Sequence, residues 1–132
     1  MYLIDTSIWI DFFRNTKNPK QQLLDDILER NLPFGITPII YQEVLQGAKS
    51  QKDFNQLEDY LGSQRFYVSR VATKLARDAA DLYFRCRQTG ITIRSTIDCL
   101  IAQAAIENNL VLLHNDKDFE YIAKVEKQLQ LA

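Results

Sequence analysis

The chain has 132 residues, 46% of them hydrophobic, with 17 Asp and Glu against 16 Lys and Arg for a net charge of -1. A chain of this length buries roughly two-thirds of its unfolded surface, so one compact domain over 1–132 is expected and disorder is excluded. Near-zero charge argues against nucleic-acid binding through a strongly basic surface. In chain order, residues 2 to 4 read as a short buried strand ending at Asp5, with Thr6-Ser7 as a turn and Ile8 to Arg14 as an amphipathic helix. Asn18-Pro19 breaks the chain, and a second helix is expected over about 20 to 31. A short strand follows at 32 to 36, and Thr37-Pro38 is a good helix start for a third helix to about 47. Further helices are expected at 52–62, 71–88 (closed by Gly90), 95–109 and about 119–127, with strands at 65–68 and 110–113. Short apolar strands between helices indicate a parallel sheet covered on both faces. No internal repeat, linker or charge block interrupts the pattern.

Composition also excludes several chemistries. Cys86 and Cys99 make no disulfide framework and read as reduced core thiols. A single histidine leaves zinc chemistry without ligands. The four glycines at 35, 47, 62 and 90 form neither a dinucleotide fingerprint nor a P-loop. The N-terminus lacks a basic stretch followed by an apolar one, and no window approaches the roughly 18 apolar residues of a membrane span, so a cytoplasmic protein is expected.

What remains for chemistry is mostly carboxylates. Asp5 and Asp116 stand at or just beyond the carboxyl ends of strands, where ligands bind in open parallel sheets. Each also reads as a helix N-cap, as does Asp118. Asp98, three residues after Ser95, fits a capping box, yet it shares the stripe of Ile97, Ile101 and Ala105. Glu43 is mid-helix on the side of Ile39 and Ile40, where an isolated charge is costly; a shift of one residue in phase would instead put it in solvent. Taken jointly, the four acids can converge on one crevice. Carboxylates about 4 Å apart repel by on the order of 4 kcal/mol per pair at an effective dielectric near 20. A divalent cation is the simple remedy, and an all-oxygen ligand set favours Mg²⁺ or Mn²⁺, one or two ions, with phosphodiester hydrolysis as the matching reaction class.

The motifs Asp5-Thr6-Ser7, Pro38-Ile39-Ile40-Tyr41-Gln42-Glu43-Val44, Ser95-Thr96-Ile97-Asp98-Cys99-Leu100-Ile101-Ala102 and His114-Asn115-Asp116-Lys117-Asp118-Phe119 resemble, in order and spacing, the PIN domain. In pattern they are most similar to the VapC toxins of VapBC toxin–antitoxin modules. The resemblance spans about residues 2 to 120 and rests on four ordered motifs. It implies a three-layer α/β/α fold with a short, mostly parallel sheet of four to five strands and about seven helices. It further implies an endoribonuclease toxin dependent on Mg²⁺ or Mn²⁺, with Asp5, Glu43, Asp98 and Asp116 as metal-holding and catalytic acids. Thr6 or Ser7 would orient a metal-bound water or ligand, with Asn115 and Asp118 as auxiliary residues. Family members usually form homodimers and are inhibited by a small VapB-type antitoxin whose tail lies in the active-site groove. The chain departs from the pattern at His114, where Ser or Thr is common, and His114 reads as a strand-end structural residue.

Weaker readings concern the surface. Arg14, Arg85, Arg87 and Arg94 are candidates for RNA phosphates, against the ordinary reading of solvated charges. Trp9, Phe12 and Phe13 read first as core, and Tyr83 and Phe84 as core or a second-subunit face. Three rivals stand beside the nuclease. A receiver-like phosphoacceptor needs an Asp ending a central strand, but the middle strands end at Ile36 and Val68; a haloacid-type phosphatase needs an Asp where Ser7 stands. A non-catalytic module would make all four acids caps or surface pairs. Within the same fold, a housekeeping PIN nuclease without antitoxin is the alternative to a toxin. Setting the four acids aside leaves 13 acids against 16 bases, a remainder of +3, so near-neutrality bounds RNA affinity without excluding RNA.

Overall fold

The computed structural model describes residues 1–132 and contains seven helices and four strands. In chain order these are β1 (Tyr2–Ile4), α1 (Thr6–Phe13), α2 (Pro19–Glu29), β2 (Phe34–Gly35), α3 (Pro38–Gln46) and α4 (Gln51–Gly62). There follow α5 (Ala72–Gln88), α6 (Thr96–Glu107), β3 (Val111–Leu113), α7 (Lys117–Val125) and β4 (Gln130–Leu131). The sheet has order β2-β1-β3-β4 and every pairing is parallel. Leu3, Ile4, Leu112 and Leu113 are all fully buried. Consecutive strand residues point to opposite faces, so burial of both members of each pair means that helices cover both sides of the sheet.

Local chemistry sets the helix boundaries. Asn18 Oδ1 accepts from the Gln21 backbone N–H, and Pro19 occupies the first turn, so Asn18-Pro19 opens α2. Thr37 caps α3 in the same way, with Pro38 at the first position. Helices α1, α2 and α6 are followed by Asn15, Asn31 and Asn109 at φ near +55°, and α5 by Gly90 at +85°. These are the residue types that enter the left-handed region at least cost. Twenty-six buried residues form one hydrophobic cluster, which includes Trp9 and the unpaired thiols Cys86 and Cys99. Trp9 is fully buried, Phe12 is half-buried and Phe13 is exposed at the surface.

Two strand expectations need correction. The strand expected at 65–68 is reduced to a single parallel bridge between Ile36 and Phe66. Ile36 donates to Arg65 O and accepts from the Tyr67 N–H, after which Thr37 begins α3 and no pairing partner remains. Conversely, Gln130–Leu131 pairs with Val111 and Leu112 as β4 although its polar alternation carried no strand signal. No helix is long and apolar enough to cross a membrane.

Candidate metal centre

Strand β1 lies between β2 and β3, so the chain leaves it in opposite directions and opens a crevice at its carboxyl end. Asp5 closes β1, with its backbone N–H bonded to Leu113 O of the neighbouring strand at 2.9 Å. His114-Asn115-Asp116 leaves β3 beside it. Asp98 stands in the first turn of α6 and Glu43 in the middle of α3. The four acids thus come from four separate chain segments, near enough that Asp116, Asp5 and Glu43 each raise the pKa of Asp98.

The neighbouring polar side chains serve the acids. Ser7 donates both its N–H and its hydroxyl to Asp5 Oδ2, at 3.0 and 2.6 Å, while its hydroxyl accepts from the Asn115 N–H at 2.9 Å. That relay fixes Asp5 against the loop carrying Asp116. Thr6 Oγ1 donates to Glu43 Oε1 at 2.7 Å. The side chain of Asn115 donates to Asp11 at 3.2 Å, and Asn18 donates to the same Asp11 oxygen at 3.0 Å. Thr6 and Ser7 thus orient carboxylates directly. Asp11 in this tie was missed by sequence reasoning, since nothing in an exposed-looking helix acid announces contacts 7 and 104 residues away.

The competing cap roles resolve residue by residue. Asp5 and Asp116 do cap α1 and α7, through the N–H groups of Ser7 and Asp118. Asp98 does not form the expected capping box: Ser95 Oγ accepts from Ile97, and Asp98 takes no part in the side-chain hydrogen bonds around it. Asp98, Asp116 and Asp118 bring one oxygen each within 4.8 Å of one another. Three helix N-termini face this region, and their partial positive charge offsets some of the repulsion.

The repulsion that remains is visible in the protonation equilibria. Burial pushes Asp98 up to about 7, with Asp116, Asp5, Asp118 and Glu43 each adding to the rise. Asp5 is pushed up to about 6, mainly by burial, against the lowering effect of its Ser7 bonds. His114 is buried, its ring 5.3 Å from that of Phe119, and its Nδ1 accepts from the Asp116 N–H. Burial lowers its pKa, so it is a neutral structural residue that braces the loop.

Of the four candidate arginines, one lies at the cluster and one in the groove beside Glu43. Arg94 bonds Asp116 and Asp118, and Arg14 shares with Glu43, Phe13 and Lys49 the lining of a groove of about 260 Å³ beside α3. Arg85 is instead tied to Asp81 and Glu126, and Arg87 rests over the Tyr83 and Phe84 rings. Neither partner of Arg85 belongs to the acidic cluster, so Arg85 falls away as a candidate.

A cation fits this donor set. The ligands are hard oxygens, Asp98 is unbonded, and the only imidazole points its Nδ1 elsewhere. The PIN domain family pattern matches residues 2–125. The ribonuclease VapC11 of Mycobacterium tuberculosis is 33% identical over 126 residues, covering 95% of this chain and 93% of that protein, and a VapC ribonuclease of Mycobacterium bovis matches to the same extent. Among solved structures, VapBC2 of Rickettsia felis bound to a promoter DNA fragment superposes with a TM-score of 0.75 at 21% identity, covering 99% of this chain and 96% of that one. The VapBC-1 structure from nontypeable Haemophilus influenzae gives 0.74 at 23%, with the same coverage. The acids at the crevice, the parallel sheet that presents them and these likenesses lead to one conclusion: the chain belongs to the PIN-domain family, among its VapC members.

Proposed function

We propose that the protein is an endoribonuclease toxin of a type II toxin–antitoxin pair, hydrolysing RNA phosphodiester bonds at the carboxylate cluster. The observation that supports this reading is the convergence of Asp98, Asp116 and Asp118 within 4.8 Å, with Asp5 and Glu43 near enough to raise the pKa of Asp98. Asp98 and Asp116 would hold the cation, with Asp5 and Glu43 completing the acidic wall. Mg²⁺ or Mn²⁺ suits this oxygen donor set. Bound there, a divalent cation supplies polarisation of a phosphoryl oxygen and a water of lowered pKa near neutral pH.

The chain's own residues do the remaining work. Ser7 and Thr6 hold Asp5 and Glu43 in fixed rotamers, so little reorganisation is needed when substrate arrives. With their raised values, Asp5 and Asp98 would hold protons near neutrality in the absence of a cation and release them where one is bound. The groove beside Glu43, with Arg14 and Lys49, is the place for flanking RNA and for the tail of a VapB-type antitoxin. A cytoplasmic homodimer, the usual state of VapC members, completes the reading.

The test is cleavage of a mixed RNA substrate with Mn²⁺, together with the melting temperature on metal addition. Asp98→Asn is expected to fold, to abolish cleavage and to lose most of the metal-induced stabilisation, because an ion bound only by the folded state stabilises it by mass action. Wild-type cleavage by Asp98→Asn and Asp5→Asn would overturn the assignment.

A further inference from the structure

Arg94 lies in the segment joining α5 to α6, one residue before the N-cap Ser95. Its backbone N–H donates to Asp118 Oδ2 at 3.1 Å and its Nε to the same oxygen at 3.3 Å. Its Nη2 donates to Asp116 Oδ1 at 3.1 Å. One residue thus holds two of the three carboxylates that converge. The Arg94 side chain is nevertheless 74% exposed, whereas that of Asp118 is 4% exposed. A guanidinium has five N–H donors, and these two side-chain bonds leave three of them open to solvent.

The pairing divides the acids into two kinds. Asp118, nearly sealed from water and bonded twice through one oxygen by Arg94, is an anchor for the arginine. Asp116 is shared, since its Oδ1 accepts from both the Asp118 N–H and Arg94. Asp98 has no partner. An ordinary exposed ion pair is worth little, because water competes for both charges. Arg94 differs in that its own backbone is pinned to the same buried oxygen, which holds the guanidinium at the mouth of the cluster.

We propose that Arg94 is the exchangeable countercharge of this cluster. Without a cation it neutralises Asp116 and Asp118; with a divalent cation held by Asp98 and Asp116 it keeps its anchor on Asp118 and presents its free donors to the RNA phosphate. The inference rests on the reading of the acids as a cation pocket. Its sign follows from charge alone: a positive group beside the pocket weakens binding of a dication and strengthens binding of a phosphate. The planar fork suits two phosphate oxygens at once, which a lysine cannot match. A purely structural arginine would behave otherwise, because its loss would disorder the acids and weaken both ligands together.

The experiment compares the wild-type chain, Arg94→Ala and Arg94→Lys. Mn²⁺ affinity is read from the metal dependence of the melting temperature, RNA binding from a non-cleavable 2′-O-methyl oligonucleotide, and kcat and KM from cleavage. Arg94→Ala is expected to bind Mn²⁺ about fivefold more tightly. The same variant is expected to bind the oligonucleotide about tenfold more weakly, with the loss of activity mostly in KM. Arg94→Lys should return Mn²⁺ affinity to near wild type while recovering RNA binding only in part. Unchanged or weaker Mn²⁺ binding by Arg94→Ala, or unchanged RNA binding, overturns the proposal. Asp98→Asn run alongside separates the two readings: if it keeps the full Mn²⁺ response, the pocket itself is misassigned, whatever Arg94 does.

Discussion

Asp5 and Asp98 are stabilised less in their charged forms than free aspartates, and this has a consequence for stability. Both start from an ordinary value of 3.8 and rise to about 6 and about 7 on folding. Between those limits the folded chain holds protons that the unfolded chain has lost. Their contribution to stability is therefore fully present below 3.8 and disappears as pH rises through 6 and 7. For Asp5 alone the difference corresponds to about 3 kcal/mol. The metal-free protein is expected to melt progressively lower from about pH 4 to about pH 7 in a chelator-containing buffer, and saturating Mn²⁺ should flatten or reverse that trend. Thermal melts across this range check it, and a flat metal-free profile contradicts the crowding of the cluster. The sequence carried the identities of these acids but not their division of labour. Asp5 and Asp116 cap helices and face the crevice at once, whereas Asp98, which fits a capping box by spacing, accepts no bond from Ser95, and Ser95 alone caps α6 through Ile97.

At the level of elements, the site depends on how β2 ends. Gly35 lies so close to its neighbours that an added Cβ would stand 2.5 Å from the Tyr67 ring and 2.8 Å from Arg65 O. The contact with backbone cannot be relieved by a rotamer change. Gly35→Ala is expected to push the 65–67 segment off β2, break the bridge at Ile36 and destabilise the fold by about 2 kcal/mol or more, measured by urea unfolding. Because Thr37 and α3 follow at once, the position of Glu43 should loosen as well. Helix boundaries here were legible because caps and stops are local chemistry: Thr37-Pro38, Ser95 and Gly90 act within one turn of themselves. The strands were less so. Arg65 to Val68 has the residues of a strand but only Ile36 to pair with, while Gln130–Leu131 pairs fully without an apolar run.

Over the whole molecule, near-neutral charge and RNA chemistry are compatible because the acids are concentrated. The chain carries -1 in total, yet several of its carboxylates crowd one sheet edge and leave a mildly basic remainder. RNA binding is accordingly expected to depend weakly on salt, with a log–log slope between about -1 and -2, and to strengthen when Mn²⁺ neutralises the cluster. A slope steeper than about -5, measured by titrating KCl against a non-cleavable oligonucleotide, would point to an extended basic surface and contradict this expectation.

The sequence by itself determined the α/β alternation, the helix starts and stops, and the four ordered motifs that mark the PIN-domain family. All of these are written in spacing and side-chain type over a few residues. Only the tertiary structure decided which polar groups serve which acid: Ser7 between Asp5 and Asn115, Thr6 on Glu43, Asp11 on Asn115, and Arg94 across Asp116 and Asp118. Those partners are up to 108 residues apart in the chain. The parallel order β2-β1-β3-β4 brings them to one edge, and hydrogen bonds act over about 3 Å whatever the separation in sequence.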